Sequence, residues 1–295
     1  MNSYQAIFQR KSIRKYKMEP ILPETLKKIG SFYQEIEPLF PGMQTEIGIT
    51  ENLRGGKVVR GLFSVKAPYY LSIYSEERDR ADMNAGYIMQ QISLYLCTLG
   101  LGSCYMGAAT MVHEPEKRGN KKFIMLMAFG RPQGTLTRRP EEARRLPMKE
   151  LCSTRTVPKK WMREVLDAAR MAPSSANSQP WRFAVAGSRI HIFTKNKSLD
   201  SGKNLEEFNF GVMFANIMVA SEELWLDVDL IRLEDISQKS FHSSQYVLSA
   251  VIKPPSWESE ESELQFTGHP GAEHKGLLPE RIRFSPPAFA AKITK

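Results

Sequence analysis

Hydrophobic positions along the chain fall into segments that recur in the same order. Residues 82–101 (DMNAGYIMQQISLYLCTLGL) and 207–226 (EFNFGVMFANIMVASEELWL) are apolar-rich over lengths that exceed a strand. Each is expected as a long, mostly buried helix. At an offset of 125 residues, Asn84 falls on Asn209, Gly86 on Gly211, Leu99 on Leu224 and Leu101 on Leu226. Short apolar runs ended by proline follow at 123–132 (FIMLMAFGRP) and 246–255 (YVLSAVIKPP), offset by 123, and read as central strands.

A third correspondence, offset by 141, sets Ser12 and Arg14 of RKSIRKY opposite Ser153 and Arg155 of LCSTRTV. Each of these stretches leads through a proline into an amphipathic helix. Pro23 begins one that carries Leu26 and Ile29. Pro158 begins another, over residues 159–171, that carries Trp161, Met162, Val165 and Leu166. Proline suits a first helical turn because the N–H it lacks has no partner there.

Collinear matches of this kind point to a duplication, with residues 1–150 as one half and 151–295 as the other. Each half reads as helix, strand or strands, long helix, strand. There is no βαβ alternation, so the expected class is α+β, with antiparallel or mixed sheets around long central helices. Beyond Pro255, residues 256–276 are rich in Ser, Glu, Gly and His and read as a surface loop. Residues 277–293 regain apolar positions and are expected to pack back as a C-terminal arm.

Composition narrows the function classes. Of 295 residues, 42% are hydrophobic and 25% charged, with fifteen Phe, ten Tyr and four Trp, which is enough for a substantial core. No uncharged apolar run reaches the ~18 residues of a membrane span. Residues 1–14 show neither an apolar h-region nor a small-residue cleavage site, so no secretory signal is expected. Cys97, Cys104 and Cys152 are odd in number and have no metal-ligand spacing; reduced cytoplasmic thiols are the expectation. The net charge of +9 suits anionic partners. The basic clusters at 10–17, 138–145 and 159–163 are short, and no RNP-like pattern or zinc-finger spacing accompanies them. Nucleic acid, a phosphorylated small molecule or a solvated surface would each account for the charge, and a solvated surface is favoured over a nucleic-acid footprint.

Four stretches carry candidate chemistry. In Arg10-Lys11-Ser12-Ile13-Arg14-Lys15, guanidinium forks, an ammonium and a hydroxyl can hold a terminal phosphate. In Ala172-Pro173-Ser174-Ser175-Ala176-Asn177-Ser178-Gln179-Pro180-Trp181, a proline-restrained polar loop offers amides and short side chains beside an aromatic wall. It precedes an apolar strand at 182–186. Leu99-Gly100-Leu101-Gly102-Ser103-Cys104-Tyr105-Met106-Gly107-Ala108 ends a helix on glycines that permit close backbone approach to a ligand. Gly130-Arg131-Pro132, followed by Arg144-Arg145-Leu146-Pro147, adds further cations.

In this order the four stretches resemble the nitroreductase family of FMN-dependent oxidoreductases. RKSIRKY is similar to its R-R-S-x-R-x-F/Y signature and APSSANSQPWRF to its A-P-S-x-x-N-x-Q-P-W-x-F loop. GLGSCYMG and FGRP are similar to its G-L-G-x-x-x-x-G turn and G-x-P strand end. An ordinary member carries the basic signature and the P-S-x-x-N loop within about thirty residues, and two subunits share each flavin. Here the first half lacks P-S-x-x-N and the second lacks GLG and GRP, having Leu224-Trp225-Leu226 and Lys253-Pro254-Pro255 instead. Leu151 and Cys152 stand where Arg10 and Lys11 are expected. The resemblance thus implies a fused, single-chain pseudo-dimer with one complete FMN site and one blank, able to act as a monomer.

By the same resemblance, Arg10, Lys11, Ser12 and Arg145 would hold the FMN phosphate, and Arg14 would lie towards the pyrimidine edge. Pro173, Ser174, Ser175 and Asn177 would contact the flavin from the second half, and Met106 and Gly107 would run past the ring. The implied reaction passes hydride from NAD(P)H through the flavin to an electron-poor acceptor, a nitroaromatic or quinone, in a ping-pong cycle. It requires no protein nucleophile, general acid or metal. His113, His191, His242, His269 and His274 form no cluster in the sequence. Two rival readings remain: an FMN-binding module or sensor that does not turn over, and a basic nucleic-acid-binding protein. The latter would be colourless, with steeply salt-dependent binding.

Overall fold

Asn2 opens the fold by capping a short helix, α1 (Ser3–Gln9). Its side chain accepts from the Gln5 amide at 2.8 Å, and the Gln5 side chain accepts from the Asn2 amide at 3.1 Å. This reciprocal pair satisfies two donors that a helix start leaves unpaired. The computed structural model describes residues 1–154, 157–195, 205–238 and 244–253. The loop and arm expected after Pro255, as well as Arg155, Pro254, His242, His269 and His274, lie outside these residues.

In the first half, α2 (Pro23–Glu35) starts with Pro23 in its first turn, as expected. Strands β1 (Thr45–Glu51), β2 (Val59–Gly61) and β3 (Tyr69–Glu76) lead to the long helix α3 (Ala81–Thr98). Strands β4 (Gly102–Tyr105), β5 (Ala109–Met111), β6 (Lys117–Arg118) and β7 (Lys121–Gly130) follow. A short helix α4 (Met148–Leu151) and strand β8 (Cys152–Thr154) pass into the second half. That half contains α5 (Lys160–Arg170), the hairpin β9 (Trp181–Ala186) and β10 (Arg189–Thr194), and the long helix α6 (Leu205–Glu223). Strand β11 (Asp227–Ile231), one helical turn α7 (Glu234–Ser237) and strand β12 (Gln245–Lys253) complete the described chain.

The two main sheets share one order. The first runs β1-β3-β7-β4 and the second β9-β10-β12-β11, each a hairpin, then a long helix, then two returning strands that enter in reverse. All these pairings are antiparallel. β3 is buried along nearly its whole length because both of its faces are covered: Tyr69, Leu71 and Ile73 pack into the main core and Tyr70 into a second core on the outer face.

Helices α3 and α6 are apolar on every side because each packs between a sheet and the other helix. They cross backbone to backbone at glycine. A Cβ on Gly86 would run into the Phe208 carbonyl, and one on Gly211 into the Met83 carbonyl. Since 83 and 208 bear the same offset as 86 and 211, the contact is reciprocal, which is the pattern a two-fold axis produces.

One sequence expectation is corrected by this arrangement. Ser12 bridges Ser103 in parallel along the outer edge of β4. β8, which contains Ser153, instead pairs in parallel with β9, at the opposite edge of its sheet. Residues 12 and 153 are therefore not equivalent, nor do Leu151 and Cys152 stand in for Arg10 and Lys11. Leu151 is a core residue. Two shared residues across a short stretch make too weak a match, whereas Ser153 and Thr154 fit a strand edge.

Candidate functional site at a buried arginine cluster

Helix α1 ends where Arg10 turns extended, and the chain from Arg10 to Tyr16 is then laid between two segments of the first half. On one side Ser12 bridges Ser103, and Ile13 N–H donates to the Ser103 carbonyl at 3.0 Å. On the other, Arg10 bridges Thr137 and Tyr16 bridges Pro132. The basic signature, the glycine turn and the G-x-P strand end thus meet in one place. Lys11 directs its ammonium to the Thr135 hydroxyl at 2.6 Å. Arg14 is exposed, and its charge and that of Arg10 act on the buried Cys104 thiol, which burial nonetheless pushes up.

Three guanidinium groups converge beside this segment. Arg10 is 4% exposed, yet among the described residues its Nη2 has no hydrogen-bond partner, and Arg138 Nε and Arg145 Nε are likewise buried and unpartnered there. Among the described residues none of the three forms an ion pair. Burial and then the charges of Arg138, Arg10 and Arg170 push Arg145 down to about 10. Arg138 is also lowered, first by burial and then by Arg10. A group of like charges with unused buried donors is a costly arrangement that an anion would relieve. The sequence placed Arg138 within a basic cluster but did not single it out. What distinguishes it is burial beside Arg10, where the Arg138 N–H donates to the Gln9 carbonyl at 2.9 Å.

Arg145 carries the cluster across to the second half. Its Nη1 donates to Asn177 Oδ1 at 2.8 Å and its Nη2 to the Met171 carbonyl at 3.2 Å, while Asn177 Nδ2 donates to the Arg144 carbonyl at 2.9 Å. The loop after α5 is therefore docked onto residues 144–146, and Leu146 N–H also donates to Gln179 Oε1 at 2.8 Å. Within this loop Ala176, Asn177 and Gln179 all have positive φ (50°, 55° and 46°). Such clustering of left-handed non-glycine residues is uncommon and persists only where the surroundings impose it. Here Ser174 Oγ accepts from Gln179 N–H at 3.0 Å, and Asn209 Oδ1, on α6, accepts from Ser175 N–H at 3.0 Å.

The remaining residues continue along α6. Tyr105 packs edge-on against Phe208 and donates to Gln90 Oε1 at 2.9 Å. Gln90 Nε2 donates in turn to Asn216 Oδ1 at 2.8 Å, and Asn216 Nδ2 to the Ala168 carbonyl at 2.9 Å, a buried relay from one half to the other. Gly107 faces Leu205 at the start of α6. Met106 is buried and engaged on all sides: its sulfur accepts from Val65 N–H at 3.3 Å, its N–H donates to the Leu126 carbonyl at 2.8 Å and its carbonyl accepts from Ala109 N–H at 3.2 Å. Ser174, Ser175 and Asn177 are thus fixed by hydrogen bonds within the loop, to Asn209 and to Arg145, Arg10 acts on Arg145 through its charge, and Gly107 meets α6 at Leu205.

The counterpart position in the first half is built differently. Asn84, the mate of Asn209, accepts at 3.4 Å from Phe40 N–H, and its Nδ2 is buried without a partner. Leu39, Phe40 and Pro41 occupy the place of the serine loop. Among the described residues nothing lies along the outer edge of β11 as Ser12 lies along β4. A separate cavity of about 620 Å³, lined by Met148, Lys149, Cys152, Arg163 and Asp167 among others, shares no residue with the arginine cluster.

The profile of the family described as "Putative TM nitroreductase" matches residues 2–221. The chain belongs to the nitroreductase family. Among solved structures, this nitroreductase-family chain is similar to a Thermotoga maritima protein described as a "putative nitroreductase". The TM-score is 0.56 at 19% identity, over 86% of this chain and 95% of that one, a likeness of fold. A nitroreductase family protein of Clostridium difficile 630 matches with a TM-score of 0.42 at 17% identity, over 53% of this chain and 100% of its own. An FMN-dependent nitroreductase of Clostridium difficile R20291 matches with a TM-score of 0.40 at 18% identity, over 49% of this chain and 97% of its own. No curated protein matches the chain. Among the described residues, no helix is long and apolar enough to cross a membrane.

Proposed function

We propose that this chain is an FMN-dependent oxidoreductase, in which two fused halves build one flavin site. The observation that carries the proposal is the set of unpartnered buried nitrogens of Arg10, Arg138 and Arg145, whose chemistry suits a phosphate group and which Arg145 joins to Asn177 of the docked loop. Ser12 and Lys11 would complete the phosphate contacts. Pro173 and the loop behind it, held in its strained form by Asn209, would present polar groups to the ring without reorganising. Arg14 would offer its charge at the pyrimidine edge, and the backbone at Met106 and Gly107 would flank the ring opposite the loop.

Bound there, FMN supplies a hydride carrier between NAD(P)H and an electron-poor acceptor such as a nitroaromatic or quinone. The chain's own residues neutralise the phosphate, fix the ring between the halves and keep water from its buried side. No general acid from the protein is assigned. The duplication reading is supported by the common strand order and the reciprocal glycine crossing. The blank second site is supported by Phe40 at the position of the serine loop.

The test is direct. The purified chain should carry FMN, released by heat and identified by chromatography, and should oxidise NAD(P)H in the presence of a quinone. A flavin-free chain that binds nucleic acid instead would refute the proposal. Tight FMN binding with no NAD(P)H oxidation would reduce it to a flavin-binding module.

A further inference from the structure

The small sheet β2–β5 is not used by any feature of the site described so far. β2 pairs antiparallel with β5, with Gly61 opposite Ala109. Gly61 has φ +126°, and any Cβ there would collide with the Ala108 carbonyl, so this close approach is open to glycine alone. Four residues on, Val65 N–H donates to Met106 Sδ at 3.3 Å, and the Val65 carbonyl accepts from Tyr70 OH at 2.9 Å. The turn from Gly61 to Val65 is therefore pinned at both ends onto residues 106–109.

At the tip of this pinned turn stand Leu62, 73% exposed, and Phe63, 91% exposed. Phe63 is also held at φ 58°. An aromatic residue in the left-handed region is a strained choice, and full exposure gains it nothing from the hydrophobic effect. Lone exposed apolar residues are ordinary, and Leu22, Val157 and Trp225 are examples here. Two adjacent ones on a turn fastened to the segment that would flank the flavin are a different matter.

We infer that Leu62 and Phe63 form an apolar lip that receives the ring of a flat aromatic acceptor, and that they set the preference for such acceptors over small polar ones. The inference rests on the flavin site proposed above. The turn is fixed by Met106 and Ala108, so the lip stays in register with the backbone at Gly107 whether or not an acceptor is present. An aromatic ring laid against it would bury Phe63 and Leu62 together, which supplies the apolar contact that both side chains lack.

The experiment uses the full chain loaded with FMN and menadione as acceptor. Menadione takes up two electrons and two protons to leave as the hydroquinone, while NAD(P)H and a proton from solvent yield NAD(P)⁺. Phe63→Ser and the double variant Leu62→Ser/Phe63→Ser change exposed positions. Each should raise KM for menadione about ten-fold, as loss of an apolar contact of about 1.4 kcal/mol requires, with kcat little altered. Calorimetric binding of 2-naphthol, a ring that cannot be reduced, should weaken in parallel, and FMN affinity should stay within about two-fold. Trp225→Ser, an exposed aromatic remote from the turn, should leave all of these values unchanged. Unchanged menadione KM and 2-naphthol affinity in a wild-type background that binds FMN and turns over would overturn the lip and leave the flavin site standing. Absence of FMN from the wild-type chain would overturn both.

Discussion

Replacing Arg138 with methionine should separate the energetics of the empty chain from those of cofactor binding, because the two respond with opposite sign. Arg138 Nε is buried without a partner, and burial together with Arg10 disfavours its charge. Glu142, the carboxylate that acts on it among the described residues, is already bonded to Arg139. Methionine fills similar space with no charge to desolvate. The ligand-free variant should therefore gain about 1 kcal/mol, a rise in Tm of about 2–4 °C for a protein of this size. A phosphate held by the cluster would lose one charge-assisted hydrogen bond, worth about 1.5–3 kcal/mol, so FMN should bind roughly ten- to a hundred-fold more weakly. Riboflavin, which has no phosphate, should bind the variant and the wild type alike. Fluorescence titration with both flavins and a thermal melt of flavin-free protein measure the three quantities. Equal weakening for FMN and riboflavin, or a lower Tm for the empty variant, would show that Arg138 does not serve a phosphate.

Flavin released by heat should amount to one FMN per chain, since Phe40 and Asn84 occupy the counterpart position; a ratio near two would refute the blank site. Gly211→Ala should destabilise the chain by about 3 kcal/mol, because the new methyl meets the Met83 backbone rather than a side chain that can swing aside, and a denaturant midpoint at or above the wild type would contradict the crossing. Burial alone would raise Glu114, but hydrogen bonds from Thr50, Ser72 and Tyr74 and the charge of Arg118 hold it below the ordinary carboxylate value. A lowered pKa of this kind contributes stability that is present above the unfolded value, about 4.5, and is lost as pH falls through the folded one. Urea melts should accordingly show Glu114→Gln less stable by about 1–3 kcal/mol at neutral pH, with the gap to wild type closing on acidification; a constant gap would exclude this linkage.

Legibility in the sequence followed the strength of the local physical signal. The two long helices were readable because burial on every side leaves an apolar run too long for a strand. Their offset of 125 led directly to the glycines at which they cross. The loop of Pro173 to Trp181 was readable because its residue types are hard to reconcile with a plain turn. The docking of β8 on β9 was not, since three residues carry no period and parallel pairing leaves no turn signal between the strands. Arg138 was obscured for a related reason: what sets it apart from its neighbours is burial beside Arg10, a consequence of chain contacts 128 residues apart. The pinned turn at Leu62 and Phe63 was likewise invisible, because exposure is a property of the fold and not of the residue.

The bond between Arg145 and Asn177, with the short connection of α4 and β8 behind it, has a consequence for how the site behaves on dilution. When two separate chains contribute to a cofactor site, lowering their concentration can take the site apart. Here the groups from both halves are tethered, and their effective concentration is set by the connecting chain. On the flavin site proposed above, occupancy should then depend on the concentration of FMN alone, however dilute the protein, because the two halves of such a site cannot part by dissociation.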